Sequence, residues 1–190
     1  MHLQKKGLRA LGIAESYAGR TSSTLVGVVM RKDLRVDGFV SGTVTVGGSD
    51  ATEVILGMIR ELDRKDLNIV LLSGCVIAWF NVIDPERLAA EVGIPVICVT
   101  YEESDGLLAD IRHHFPGDEA RAAAYFRLGE RVPAELHTRR TIYLRTAGIR
   151  YPEAVRLCND FTLEGKIPEP LRVARLCARQ VFPSSVLRQD

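Results

Sequence analysis

Residues 47–72 read GGSDATEVILGMIRELDRKDLNIVLL, and the fold turns on them. Gly47-Gly48 is a turn, Ser49 or Asp50 is a helix N-cap, and Glu53 falls in the first helical turn. Val54, Ile55, Met58, Ile59 and Leu62 recur at helical spacing and form one apolar stripe. The run Asn68 to Leu72 is then short and apolar throughout, as in a strand buried on both faces. Upstream the pattern is different. Leu8 to Ile13 (LRALGI) is a buried strand, and Thr24 to Met30 (TLVGVVM) is a second. Leu34 to Val40 returns after the turn Arg31-Lys32-Asp33, with Gly42 to Val46 prolonging it. Downstream, Asp84 caps a helix that has Pro85 at its first position, and Pro95 to Thr100 (PVICVT) is another buried strand.

Ser104 or Asp105 opens a helix, Ala120 to Leu128 forms the next, and Thr141 to Leu144 is extended. Gly129 to Thr138 reads as an exposed loop, Ala154 to Cys158 as a short helix, and Pro170 to Gln180 as a helix opened by proline. Three antiparallel strands, then strands separated by helices and added in parallel, give an α/β fold. Its mixed sheet, flanked by helices, has ribonuclease H-like connectivity. Leu8–Ile13 is expected at its centre, with Asn68–Leu72 parallel beside it.

Composition agrees with one domain. The chain has 190 residues, of which 46% are hydrophobic and 26% charged, which excludes disordered, collagenous and coiled-coil classes. No apolar run reaches the roughly 18 residues of a membrane helix. The start, MHLQKKGLRALGI, lacks the apolar core and cleavage site of a signal peptide, so a cytoplasmic location is expected. Cys75, Cys98, Cys158 and Cys177 form no CxxC pair and lie in apolar contexts, which predicts free buried thiols. The net charge of +1 is unevenly divided. Residues 1–120 hold 12 Lys+Arg against 17 Asp+Glu, and residues 121–190 hold 13 against 7. An acidic first part beside a basic second part suits a cation site next to a polyanion surface, although differing solvated faces give the same split.

Metal-dependent phosphodiester cleavage on such a sheet needs carboxylates that hold two divalent ions roughly 3.5–4 Å apart. Mg²⁺ or Mn²⁺ fits, because these cations prefer oxygen ligands. Glu15 stands at the end of the first strand, and Asp50 and Glu53 at the start of the first helix. Helix capping and the macrodipole explain the last two equally well. The fourth strand runs into Ser73-Gly74 rather than an acid. Asn81, Asp84, Glu102, Glu103 and Asp105 are the nearby alternatives, with Asp84 as the substitute ligand, although a cap before Pro85 is the simpler reading of it. Glu15, Asp50 and Glu53 are therefore the candidate catalytic residues, and Glu15, Glu53 and Asp84 the candidate metal ligands. Arg172, Arg175 and Arg179, three and four apart, share a helix face suited to phosphates. Trp79 can stack on a base or pack against the core. His113-His114 reads as a surface pair. No nucleophile elbow, P-loop or dinucleotide fingerprint is present.

The segments GIAES near residue 15, VGGSDATEVI, LLSGCVIAWFNVID, IPVICVT and IPEPLRVARLCAR together resemble a family of archaeal proteins similar to endonuclease V, called endonuclease dU. The resemblance spans nearly the whole chain. It implies an endonuclease V-like domain over residues 1–190 and a Mg²⁺-dependent nuclease acting on nucleic acid, expected to be DNA, at deoxyuridine or inosine. It matches Glu15 and Glu53 to the first two acids of endonuclease V. It places the third on Ser73, where related members carry Asp, and puts Tyr101 where endonuclease V has Lys. A non-catalytic nucleic-acid-binding or assembly protein on the same fold is the alternative, and an α/β enzyme of small molecules a third.

Overall fold

The computed structural model describes residues 7–16 and 21–181. The lead-in at residues 1–6 lies outside them. The chain opens with β1 (Arg9–Ser16), β2 (Ser22–Arg31) and β3 (Val36–Thr45), followed by α1 (Ala51–Leu62) and β4 (Ile69–Ser73). A small hairpin of β5 (Val76–Ile77) and β6 (Asn81–Val82) leads to α2 (Pro85–Val92) and β7 (Val96–Thr100). Next come α3 (Leu108–His114), α4 (Glu119–Arg127), β8 (Val132–Glu135), β9 (Thr141–Ala147), α5 (Tyr151–Asp160) and α6 (Glu169–Val181). Seven strands form one sheet in the order β3-β2-β1-β4-β7-β9-β8.

β1 and β2 run antiparallel, as do β2 and β3, whereas β1–β4 and β4–β7 are parallel. The expected neighbours are therefore adjacent, with Ala10 opposite Ile69 and Ile13 opposite Leu72. The continuation departs from the reading. β9 lies antiparallel to β7, and β8 is a strand antiparallel to β9 inside the stretch expected to be a loop. β8 is a four-residue edge strand with a proline, Val-Pro-Ala-Glu, and only Ala134 in it is buried. So short and exposed a strand leaves little apolar signal.

Alternation along the strands assigns their side chains to two layers. Leu11, Ile13, Val70 and Leu72 pack with Ile55, Leu56 and Leu88, on the side of α1 and α2. Ala10, Ile69, Leu71, Ile97 and Val99 pack with Leu157, Phe161 and Leu171, on the side of α5 and α6. Ala14, Val26 and Val28 meet Ala174 and Ala178 of α6. Small residues bring this helix close. A Cβ on Gly12 would lie 2.5 Å from the Pro170 side chain, so the entry of α6 requires glycine beneath it.

The cysteines correct another expectation. Cys75 and Cys98 are joined as a disulfide with their Cα atoms 6.1 Å apart, while Cys158 and Cys177 are free. Their separation of 23 residues carries no pairing signal, and the parallel β4–β7 contact brings them together. Burial pushes the Cys158 thiol up to about 12, as befits an inert packing residue.

Candidate functional site

The carboxyl ends of β1, β4 and β7 open on one side of the sheet, and the β5–β6 hairpin covers part of them. Its turn is unusual. Ala78, Trp79 and Phe80 all have left-handed backbones, with φ of 42°, 58° and 62°. Such a conformation costs roughly 1–2 kcal/mol per non-glycine residue, so the surroundings must impose it. Arg121 of α4 supplies much of the restraint. Its Nη1 donates to the carbonyls of Phe80 at 2.6 Å and Gly48 at 2.8 Å, and its Nη2 to that of Gly47 at 2.9 Å. Asp118 holds its Nε at 3.0 Å, and the Phe115 ring lies 4.0 Å beneath the guanidinium. The Gly47 amide donates to the Ala78 carbonyl at 2.7 Å. The result is a fixed platform on which Trp79 is 50% exposed, with the His114 ring 4.8 Å away.

Glu15 lies beneath this platform. Its Oε1 accepts from the Ser23 hydroxyl at 2.6 Å and from the Ala78 amide at 2.9 Å. Among the described residues no donor reaches its Oε2. Glu15 and Trp79 line a common pocket of about 300 Å³ with Phe80 and Leu107.

Asp50 stands just before α1 as expected, yet its side chain does not cap that helix. It turns back to accept from the Thr45 hydroxyl at 2.8 Å, the Thr45 amide and the Asn81 amide at 2.6 Å. Burial raises its pKa, but the bonds from Thr45 and Asn81 outweigh this and hold the carboxyl below its ordinary value. The cap comes instead from Asn81, whose Oδ1 accepts from the Ala51 amide at 3.1 Å.

Glu53 is 56% exposed and ion-paired to Arg87 of α2. Asp84 caps α2 through the Arg87 amide at 3.0 Å and lines a different cavity, beside Arg127 and Arg145. Neither Glu53 nor Asp84 lines a pocket that Glu15 lines. The structure thus brings Asp50 to the hairpin network and Glu15 to the Trp79 pocket, but does not gather Glu15, Glu53 and Asp84 on one cation. Among the described residues no three of His, Cys, Asp and Glu are grouped to hold a metal ion.

Register explains why the strand-end acids do not converge. Continuing the β1–β4 pairing one step sets Ala14 beside Ser73, both directed toward the α5–α6 layer, while Glu15 points to the other face. Where two neighbouring carboxylates would serve a pair of divalent ions, the chain has a methyl group and a hydroxyl. The residues present do not fit a two-metal centre.

On that side Tyr101 and Arg175 lie beside Ser73. The Arg175 guanidinium lies 5.7 Å from the Tyr101 ring. Burial raises the Tyr101 phenol to about 12, opposed by the nearby Ser73 hydroxyl and the Arg175 charge, and its oxygen makes no hydrogen bond of normal geometry. Arg172 is spent on Glu169, with contacts of 2.6 to 3.0 Å, and Arg179 is exposed one turn beyond Arg175. Arg121 and Arg131 went unmarked in the sequence and His114 was read only as part of a surface pair, because each acts through a loop carbonyl or a ring brought close only by folding.

The architecture is a ribonuclease H-like α/β sheet of the kind that carries endonuclease V. The family model of endonuclease dU matches residues 6–182, and the chain belongs to that family. A UPF0215 protein of Pyrobaculum calidifontis is 39% identical over 176 residues, covering 90% of this chain and 95% of the relative. A crystal structure of a protein of unknown function from Archaeoglobus fulgidus superposes with a TM-score of 0.81 at 29% identity, covering 92% of this chain and 98% of that one. Endonuclease V of Ciona intestinalis, solved with a 24mer DNA containing an inosine followed by a ribo-adenosine, shares the fold. Its TM-score is 0.64 at 14% identity, with 93% of this chain and 86% of that chain covered. Among the described residues no helix is long and apolar enough to cross a membrane.

Proposed function

We propose that this chain binds nucleic acid at a deaminated base and reads that base in the pocket shared by Glu15 and Trp79. The observation that carries the reading is the acceptor-only Oε2 of Glu15 beside a half-exposed indole. Deamination turns the ring-nitrogen acceptor of cytosine or adenine into the N–H donor of uracil or hypoxanthine. A carboxylate oxygen accepts from that N–H and repels the acceptor of the unmodified base. Stacking on Trp79 supplies affinity, about 1–3 kcal/mol per base, and enzymes and binders of extruded bases combine these two devices. Ser23 and Ala78 position the Glu15 carboxylate by occupying its other oxygen. The DNA complex of a protein with the same fold supports nucleic acid as the partner class.

The name of the family favours a second reading, hydrolysis of a phosphodiester next to deoxyuridine or inosine with Mg²⁺ or Mn²⁺. Endonuclease V neighbours support a nuclease of this type, and the residues it would draw on are Glu15, Glu53 and Asp84, with a neutral Ser73 at the end of β4.

Trp79 is the single tryptophan, so it reports directly on its own pocket. Titrating single-stranded DNA that contains one deoxyuridine should quench its fluorescence, and the same strand with cytosine should bind at least tenfold more weakly. Glu15→Gln should erase that preference, because an amide can turn its donor toward cytosine. Equal binding of the two strands by the unaltered protein would refute base reading. Incubation with Mg²⁺ or Mn²⁺ should leave the strand intact, and cleavage would make hydrolysis the function.

A further inference from the structure

The groove beyond Glu15, toward β7, sets two arginines beside its acids. Ser73, Tyr101, Arg131 and Arg175 line a cavity of about 420 Å³ there, with Glu15 at one edge and Glu102 at another. Glu102 is ion-paired to Lys166. The two guanidinium groups have no carboxylate partner among the described residues. Arg131 is held by neutral acceptors, the Ser104 carbonyl at 2.7 Å, the Glu102 carbonyl at 3.1 Å and the Thr100 hydroxyl at 3.4 Å. Arg175 rests over the Tyr101 ring, and the Tyr101 hydroxyl is buried beside that of Ser73.

We infer that Arg131 and Arg175, with the hydroxyl of Ser73, form a metal-free site for one backbone phosphate of the bound nucleic acid. Two forked guanidiniums and the Ser73 hydroxyl present donors to the oxygens of a phosphodiester, and arginine is the side chain whose planar fork suits that anion. The same charges disfavour a divalent cation at Ser73. The site adjoins the base pocket through Glu15, which lines both cavities, so one strand can place its base on Trp79 and the adjoining phosphate between the arginines. This inference rests on the nucleic-acid reading above and adds a location and a charge mechanism to it.

The test uses the full chain in EDTA, with a fluorescent deoxyuridine-containing single strand and, separately, inorganic pyrophosphate as the probe of the anion site. Wild-type binding should be unaffected by EDTA or added Mg²⁺. Arg131→Gln and Arg175→Gln should each weaken strand binding about tenfold, the scale of one charge-assisted contact, and lower the salt slope by about 0.7. Arg175→Lys should keep the slope and lose part of the affinity, since it preserves charge without the fork. Pyrophosphate should raise the melting temperature of the wild type and not that of the glutamine variants. Circular dichroism confirms that each variant is folded. Strand binding that stays at wild-type affinity and slope in both glutamine variants overturns the site while leaving the base pocket standing. Binding that requires Mg²⁺ also overturns it. If no strand binds but pyrophosphate still protects the wild type alone, the anion site stands and the nucleic-acid reading falls. If neither probe binds, both fall.

Discussion

The two sides of the central strands end in opposite states. Toward α1, the polar groups around the β5–β6 hairpin are nearly all matched. Arg121 satisfies three carbonyls, Asp50 takes donors from Thr45 and Asn81, Asn81 caps α1, and one Glu15 oxygen has two donors. Toward α6, a few residues along the same strand ends, Arg131 and Arg175 have no carboxylate partner among the described residues. A saturated carboxylate is already employed in holding the fold, and an unsaturated donor is available to a ligand. Acidic residues at strand ends therefore point here to architecture, and the chemistry left open is that of anion and base recognition. On the saturated side, Oε2 of Glu15 faces the Trp79 pocket with no donor among the described residues.

If this contrast is right, the largest stability loss comes from Arg121, which no sequence motif singled out. Its guanidinium is only 10% exposed and bridges the 47–48 turn to the hairpin. Arg121→Ala leaves three carbonyls without donors and releases three strained residues, so it should cost about 3 kcal/mol or more. Denaturant unfolding measures this. Trp79 fluorescence should shift to the red as its platform loosens. A loss below about 1 kcal/mol would mean that Phe115 and His114 hold the turn without it.

Asp50 should come next and should depend on pH. Asp50→Ala leaves the Thr45 amide without its acceptor and the Asn81 amide with only the Thr45 carbonyl, a cost of about 1 kcal/mol. The carboxyl is held below its ordinary value in the folded state and returns to about 3.8 when unfolded. Its contribution is therefore fully present above that pH and is lost as pH falls through the folded value. Asp50→Asn should remove this part of the acid sensitivity while keeping one acceptor. Melting curves of wild type and variant between pH 2 and about 6 test the sign, and parallel curves would show that the Asp50 charge contributes nothing to stability.

The fold was legible for particular reasons. Unbroken apolar runs at Leu8–Ile13 and Asn68–Leu72, and the switch to helical period after Asp50, state strand and helix in elementary terms. β8 escaped because a short edge strand with proline lacks alternation. The Cys75–Cys98 bridge escaped because pairing depends on which strands are neighbours. The candidate site was harder. Glu15, Asp50 and Glu53 lie at the ends of the right elements, but a strand end specifies position along the sheet and not the face. One residue of register separates Glu15 from Ser73's side, and only the β1–β4 pairing reveals it. Likewise Arg172, Arg175 and Arg179 share a helix face in sequence, while folding gives Arg172 to Glu169 and leaves Arg175 in the groove.

Glu53 offers the smallest effect and the sharpest check on this distinction. As a metal ligand it would be indispensable, and its loss would remove orders of magnitude of activity along with metal binding. As placed, it is a half-exposed member of an ion pair with Arg87, which also bonds Glu91 at 2.7 Å. A surface pair of this kind contributes about 0–1 kcal/mol, and Arg87 keeps Glu91 when Glu53 is neutralised. Glu53→Gln should therefore shift stability by less than about 0.5 kcal/mol, and the shift should vanish at high salt as screening shortens the reach of the charge. Binding of the deoxyuridine strand should stay within twofold of wild type, because Glu53 lines neither the Trp79 pocket nor the arginine groove. A large loss of binding in this variant, with its melting temperature unchanged, would place Glu53 in the site and make the acids at the strand ends functional after all.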